Sequence, residues 1–389
     1  MVTDAPPRPC CNFSGGAYRW RRCMPYLIFA MLIAFVQFYA ITVRDPHFIR
    51  TTFQSIANMR HRRNDSGPLH VLLIAYARTG SSFVGDLLQS LPNTFYHFEP
   101  LHFLGNPVLN DSVQEARALL DKVFRCNVSS IDGFLKWQRK HKGYMKFKRS
   151  LNYWKECSKK NFCYNGSYID NYCRKHGTIV IKTIRLKLPD AAELFITHPH
   201  LNLKIIYLAR DPRGSINSRT KFPVSQWCKR DPMCINPTHF CSALGEDLKI
   251  VCTLSKERPE DFMVLRYEDL SIDPFATTTR LVEFLGLQSI PSDTQAFLNS
   301  HTSVIGNVRE KYRPQGLDYP YSTFRNSSIT AMSWRSQMSF KRVTLLQTTC
   351  QTALTGLGYY AYSTTASLRS NLNFDTNVDD AVRSFCSVN

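Results

Sequence analysis

The chain has 389 residues, 43% hydrophobic and 12% aromatic, which supports one large or two modest packed domains and excludes a disordered or collagen-like polymer. Lysine and arginine outnumber aspartate and glutamate by 49 to 30, a net charge of +19. An acidic partner is implied (nucleic acid, anionic glycan, phosphorylated cofactor or membrane surface), and charge alone does not choose among them.

Residues 1–23 carry Pro6, Pro7, Pro9, Gly15 and Gly16 and read as a short tail, with Cys10, Cys11 and Cys23 as plain thiols or acylation sites. Met24 to Val43 is a run of 20 uncharged residues with Gln37 as its one strongly polar member, long enough to cross a bilayer. A cleaved signal peptide competes, but its apolar stretch should be shorter and no small-x-small site follows. Arginines flank both ends, so charge does not orient the span. Two downstream features do. Five N-x-[ST] sequons, at Asn64, Asn110, Asn127, Asn165 and Asn326, need a lumenal location to be used. Ten of thirteen cysteines also follow the span, an even number suited to an oxidising compartment. The expected organisation is a cytoplasmic tail (1–23), a transmembrane signal-anchor (24–43), a basic stem (44–68), a lumenal domain (69–362) and a C-terminal tail (363–389). That tail is Ser/Asn/Asp-rich and expected to be loose except where Cys386 ties it down.

His70 to Ala75 is an apolar run of the kind buried on both faces of a sheet. A tight turn, Arg78-Thr79-Gly80-Ser81-Ser82, follows, and then Phe83, Val84, Leu87 and Leu88 at helical spacing. A strand feeding a helix through a Gly/Ser turn makes an anion site: the first helical amides lack intrahelical partners and the dipole is positive there. Arg78 adds a guanidinium fork suited to phosphate or sulfate. The bland alternative is a capped helix with a surface arginine. The turn is not a nucleotide triphosphatase loop, which needs G-x-x-x-x-G-K-[ST].

Thr94 to Phe98 has strand character and Pro100 ends it, leaving Glu99 at a strand terminus as a candidate general base or an ordinary solvated carboxylate. His97 and His102 have no metal-site spacing. Lys136 to Arg149 interleaves basic residues with Trp137, Tyr144 and Phe147, fitting a solvated helix face or a contact to an anionic polymer. Thr178–Thr183 and Leu203–Ala209 are two more strands with a short helix between them, a β-α…β-α-β pattern that gives a parallel sheet covered by helices. Asp211 is a good N-cap and Pro212 fits the first helical position. Arg210 then stands at a strand's carboxyl end, where open α/β sheets bind ligands, with Ser218 two turns along the helix. Cys228, Cys234, Cys241 and Cys252 lack a paired C-x₂-C, so disulfides are favoured over zinc. Phe262 to Leu270 reads as a strand leading to a helix from about Asp273 to Leu285, with Glu268 and Asp269 as capping and structural groups.

The elements R-T-G-S-S-F (Arg78–Phe83), F-E-P (Phe98–Pro100), R-D-P-R with Ser218-Arg219 behind it, V-L-R-Y-E-D-L (Val264–Leu270) and Trp334-Arg335 occur in one order. Over roughly Leu69 to Tyr360 this resembles the Golgi carbohydrate sulfotransferases that modify the 6-position of galactose, N-acetylglucosamine or N-acetylgalactosamine. The resemblance implies a P-loop-like three-layer α/β fold with a central, mostly parallel sheet. It implies 3′-phosphoadenylyl sulfate (PAPS) as donor, no metal, and a glycan or glycosaminoglycan acceptor rather than nucleic acid. A single-pass type II protein of the Golgi membrane is the corresponding location. The residues carried over are Arg78, Thr79, Gly80, Ser81, Ser82, Phe83 and Val84 for the 5′-phosphosulfate, and Arg210 and Ser218 for the 3′-phosphate. Glu99 would be the base, and Arg78 would stabilise the leaving group electrostatically, because guanidinium does not give up a proton. Arg335 would reach toward the phosphates. Two other classes share some features. A non-catalytic lumenal glycan-binding protein explains the charge without needing two phosphate-type loops, and a glycosyltransferase usually needs an Asp-x-Asp metal site, which is absent from the sequence.

Overall fold

The computed structural model describes residues 67–105, 112–141, 149–221, 224–229, 231–302, 327–370 and 377–388. The span 24–43, the stem up to 66, the sequons at Asn64, Asn110 and Asn326, and Tyr144 and Phe147 lie outside the described residues. Among the described residues no helix is long and apolar enough to cross a membrane.

Five strands, β1 (Leu69–Ala75), β2 (Thr94–Phe98), β3 (Thr178–Thr183), β4 (Asn202–Ala209) and β5 (Phe262–Arg266), form a sheet in the order β2-β3-β1-β4-β5. Every pairing is parallel, so the expected mostly parallel sheet is wholly so among the described residues. The apolar runs explain this: Val71 to Leu73 of β1 and Ile179 to Ile181 of β3 are fully buried, as strands covered on both faces must be. The chain leaves β1 through the helix α1 (Ser81–Gln89) toward β2 on one side. It leaves β4 through α2 (Pro212–Arg219) toward β5 on the other. Neighbouring strands whose exits diverge open a crevice at their carboxyl ends, where such sheets place ligands. Phe83, Val84, Leu87 and Leu88 of α1 pack on Val71 and Leu73 in one buried cluster. The helix is thereby fixed with its amino end at that crevice.

Two expectations change. The strand expected over Phe262–Leu270 stops at Arg266, and Tyr267–Ile272 turns into a short helix, α4, after the long α3 (Pro237–Glu257). Arg266 bonds Asp269 one turn ahead and the Leu357 carbonyl, contacts that curl the chain out of the sheet. The C-terminal segment is also more ordered than expected. Thr365–Arg369 is a helix with a Thr364/Ser367 capping box, and Val378–Val388 is another, with Leu368 and Val378 fully buried.

All ten cysteines beyond the span pair: Cys126–Cys173, Cys157–Cys163, Cys228–Cys234, Cys241–Cys350 and Cys252–Cys386. The zinc alternative for Cys228 to Cys252 is therefore set aside. Cys241 and Cys252 both lie on α3, so this helix is stapled once to Cys350 and once to the C-terminal segment at Cys386. Of the described sequons, Asn127 and Asn165 are exposed. Asn165 accepts the Tyr168 amide as a helix N-cap.

Candidate active site

The turn after β1 is a bent cradle. Arg78 and Gly80 both have positive φ, 69° and 93°, and the Thr79 hydroxyl donates to the Tyr76 carbonyl at 2.8 Å. The amides of Phe83 and Val84 both reach the Gly80 carbonyl, so Ser81 and Ser82 supply the amides that open the helix ahead of its own hydrogen bonds. The side chains of Phe83 and Val84 turn into the core, 8% and 0% exposed, so these two residues anchor the helix and do not line the cradle with side chains. Ser81 is buried and Ser82 half-buried.

The strand order brings β4 beside β1, and the two sequence elements with it. Arg78 Nε donates to Ser218 Oγ at 3.1 Å across 140 residues of sequence. Arg210 Nη1 donates to the Arg78 carbonyl at 2.9 Å, with its guanidinium 4.6 Å above the Tyr267 ring. Tyr267 also closes the cradle from below: a Cβ on Gly80 would lie 2.4 Å from its ring. Arg219, on the last turn of α2, donates from Nε and Nη2 to the Ala77 carbonyl and stacks on Phe240. It is buried, which pulls its guanidinium down to about 9. Sequence reasoning did not single out Arg219; its proximity to the turn depends on β4 lying next to β1.

Asp211 caps α2 by accepting the Arg213 amide at 2.8 Å and pairs with the Arg213 guanidinium at 2.7 Å. Arg213 is held between Trp334 and Tyr362, at 4.8 and 5.0 Å from their rings, so Trp334 of the late W-R element braces α2. Arg335 does not reach toward the crevice as expected. It donates to the carbonyls of Leu368 and Ser370 and stacks on Tyr362, fastening the C-terminal segment. Glu268 is structural, as expected. It accepts the Asp211 amide at 3.1 Å and the Tyr359 hydroxyl at 2.8 Å, and burial pushes its carboxyl up to about 7.

Glu99 follows β2 with φ 55° and is 1% exposed, so it is not a solvated carboxylate. Oε1 pairs with Lys182 at the end of β3, and Oε2 with Arg185 just beyond it. The Ile184 amide also reaches Oε2, at 3.4 Å. Lys182 is buried with its ammonium 4.6 Å over the Phe98 ring; desolvation lowers its pKa and Glu99 opposes that shift. Neither cation was read as part of the site. The available signal was Lys182 as the one charge in the run Thr178–Thr183, which a buried parallel strand tolerates only with a partner. His97 is buried beside Phe95 and pushed down to about 3 by desolvation. Among the described residues no three His, Cys, Asp or Glu side chains gather as a metal site.

Residues 68–358, well over half of the chain and including the cradle, Glu99 and α2, match the sulfotransferase domain family. The chain belongs to the sulfotransferase family. The sulfotransferase is similar to carbohydrate sulfotransferase 1 of Danio rerio, 28% identical over 79% of this chain and 81% of the relative. It is also similar to carbohydrate sulfotransferase 4 of Mus musculus, 27% identical over 78% of this chain and 84% of the relative. Among solved structures it is similar to the sulfotransferase domain of the Synechococcus PCC 7002 olefin synthase, with 19% identity, coverage of 77% and 98%, and a TM-score of 0.43.

Proposed function

We propose that this sulfotransferase moves a sulfonate from PAPS to a sugar hydroxyl, the 6-OH of galactose, N-acetylglucosamine or N-acetylgalactosamine, on glycan or glycosaminoglycan chains. The observation that carries the reading is the meeting of the Arg78 cradle with Arg210 and Ser218 at the carboxyl ends of two adjacent strands. Two guanidinium groups, unpaired helix-start amides and the hydroxyls of Ser81, Ser82 and Ser218 form a donor set that fits a phosphosulfate and a second phosphate. The sugar acceptor is supported by the names of the relatives. The 24–43 span, the sequons and the cysteine count support a single-pass type II protein with this domain in the Golgi lumen, where nucleic acid is not an expected partner.

Bound donor supplies an activated sulfonate. The amides of Ser81 and Ser82, with Thr79, Gly80 and Arg78, hold its phosphosulfate end, while Phe83 and Val84 anchor that helix in the core. Arg210 and Ser218 take the 3′-phosphate and fix register. Glu99, held in place by Lys182 and Arg185, accepts the proton of the attacking hydroxyl as its oxygen bonds to sulfur. The electron pair of the breaking S–O bond goes to the phosphate, where the charge is met by Arg78 and the cradle amides. No step of this scheme uses a metal.

The test is adenosine 3′,5′-bisphosphate binding and labelled sulfonate transfer, with full-length protein in detergent. Arg78→Ala and Arg210→Ala should each weaken bisphosphate binding by about 10- to 100-fold, the worth of a charge-assisted contact, and chelator should change nothing. Glu99→Gln should keep that binding within about threefold and lower turnover by about 10²- to 10⁴-fold. A folded protein that binds no bisphosphate would sink the reading in favour of glycan binding without chemistry.

A further inference from the structure

The amino ends of β1 and β3, opposite the crevice, carry a cavity of about 520 Å³. The seven residues of β1 separate it from the Arg78 cradle by about 20 Å. Its lining includes Arg125, Arg174, His70, His176 and His200 and not one carboxylate. Asp121 is not among the lining residues but contacts two of them. It accepts from His200 Nε2 at 2.6 Å and lies 3.8 Å from Arg125, so it positions two of the lining side chains.

The two arginines stand at the rim, both exposed. Each adjoins one half of the Cys126–Cys173 disulfide, which joins the end of one helix to the end of another. Cys126 holds φ 53°, a conformation that non-glycine residues adopt only when their surroundings impose it. Arg174 Nη2 donates to the Cys126 carbonyl at 3.2 Å, closing the bridge on itself. The buried His70 ring, 5% exposed, also lines the cavity, edge-on to Phe124.

We propose that this cavity is a second anion site, which binds a saccharide unit through a sulfate or phosphate ester on it. Two guanidinium forks and flanking imidazoles suit a tetrahedral oxyanion, and Asp121, which contacts His200 and Arg125, is not itself among the lining residues. The volume exceeds what a bare ion occupies and leaves room for the sugar that carries the ester. Such a site grips an anionic chain away from the chemistry. The proposal stands on the cavity itself and does not depend on the donor assignment.

Full-length protein, with its donor site saturated by adenosine 3′,5′-bisphosphate, is titrated calorimetrically with three probes. These are inorganic sulfate, an unsulfated galactose–N-acetylglucosamine disaccharide and the sulfate monoester of that disaccharide. The monoester should bind saturably and at least tenfold more tightly than either other probe. Arg125→Ala and His200→Ala, whose side chains are 63% and 48% exposed and so leave the fold intact, should each weaken the monoester at least tenfold. Both should leave bisphosphate affinity unchanged. Monoester binding equal in wild type and both variants overturns the proposal, as does inorganic sulfate binding as tightly as the monoester. A protein that fails to bind bisphosphate yet passes these tests would refute the donor assignment and leave this site standing.

Discussion

Gly80 is where backbone and side-chain demands meet. Its φ of 93° disfavours any L side chain, and the added Cβ would strike the Tyr267 ring that also carries Arg210. Gly80→Ala should therefore cost about 1–3 kcal/mol of stability, read from a urea denaturation midpoint, and weaken bisphosphate binding as Arg210 shifts with the ring. A variant with wild-type stability and affinity would show that Tyr267 yields without moving Arg210. The motif Arg78–Phe83 was legible at this scale because a few adjacent residues determine the turn. Glu99 was legible only as a residue type at a strand end. Its two cations arrive from 83 and 86 residues away, so no local pattern displays them.

At the scale of elements, α2 depends on its first residues. Asp211 caps the helix and neutralises Arg213, which is 1% exposed between Trp334 and Tyr362. Asp211→Ala removes a cap worth about 1 kcal/mol and strands a buried guanidinium, a loss of about 3–5 kcal/mol. Asp211→Asn keeps the capping oxygen and should lose measurably less in the same urea experiment; equal losses would mean that the ion pair dominates and the cap contributes nothing. The Asp211-Pro212 start was readable from sequence, because N-caps act within three residues. The end of β5 was not. Phe262 to Leu270 has an unbroken strand-like composition, and the contact of Arg266 with Leu357, 91 residues on, helps turn the chain into α4.

For the whole molecule, burial of titratable groups ties stability to pH with opposite signs. Asp247, fully buried on α3 where it accepts from Tyr207, is pushed up to about 7 by desolvation. The folded state thus binds the extra proton between the ordinary carboxylate range and about 7, and stability is lost as pH rises through that window. Relative to wild type, Asp247→Asn should gain stability from pH 5 to pH 7 and then level off. His97 is pushed from 6.5 down to about 3, so the unfolded state binds the extra proton and stability is lost as pH falls below 6.5. His97→Phe should therefore gain relative to wild type on acidification. Denaturation midpoints at pH 5 and 7.5 check both; pH-independent differences would mean that each group binds its proton equally in the folded and unfolded states, so that burial shifts neither. The C-terminal helix adds a covalent constraint. Cys386→Ser opens a loop with a sequence separation of 134, and by the usual worth of a disulfide it should cost about 2–4 kcal/mol.

What the sequence by itself determined is local in origin. It marked the buried apolar runs as strands, the Arg78 turn as a strand-to-helix link, the start of α2, and a cysteine count suited to disulfides. Each follows from residues within a few positions of one another, whose backbone preferences and burial periodicity do not wait for the rest of the chain. Only the tertiary structure decided the strand order that sets β1 beside β4 and so closes Arg78 onto Ser218. It also decided the pairing of Glu99 with Lys182 and Arg185, the five disulfide partners, and the basic cavity at the far end of the sheet. These contacts join residues far apart in sequence, and which of them form depends on how whole faces of the sheet and helices bury one another.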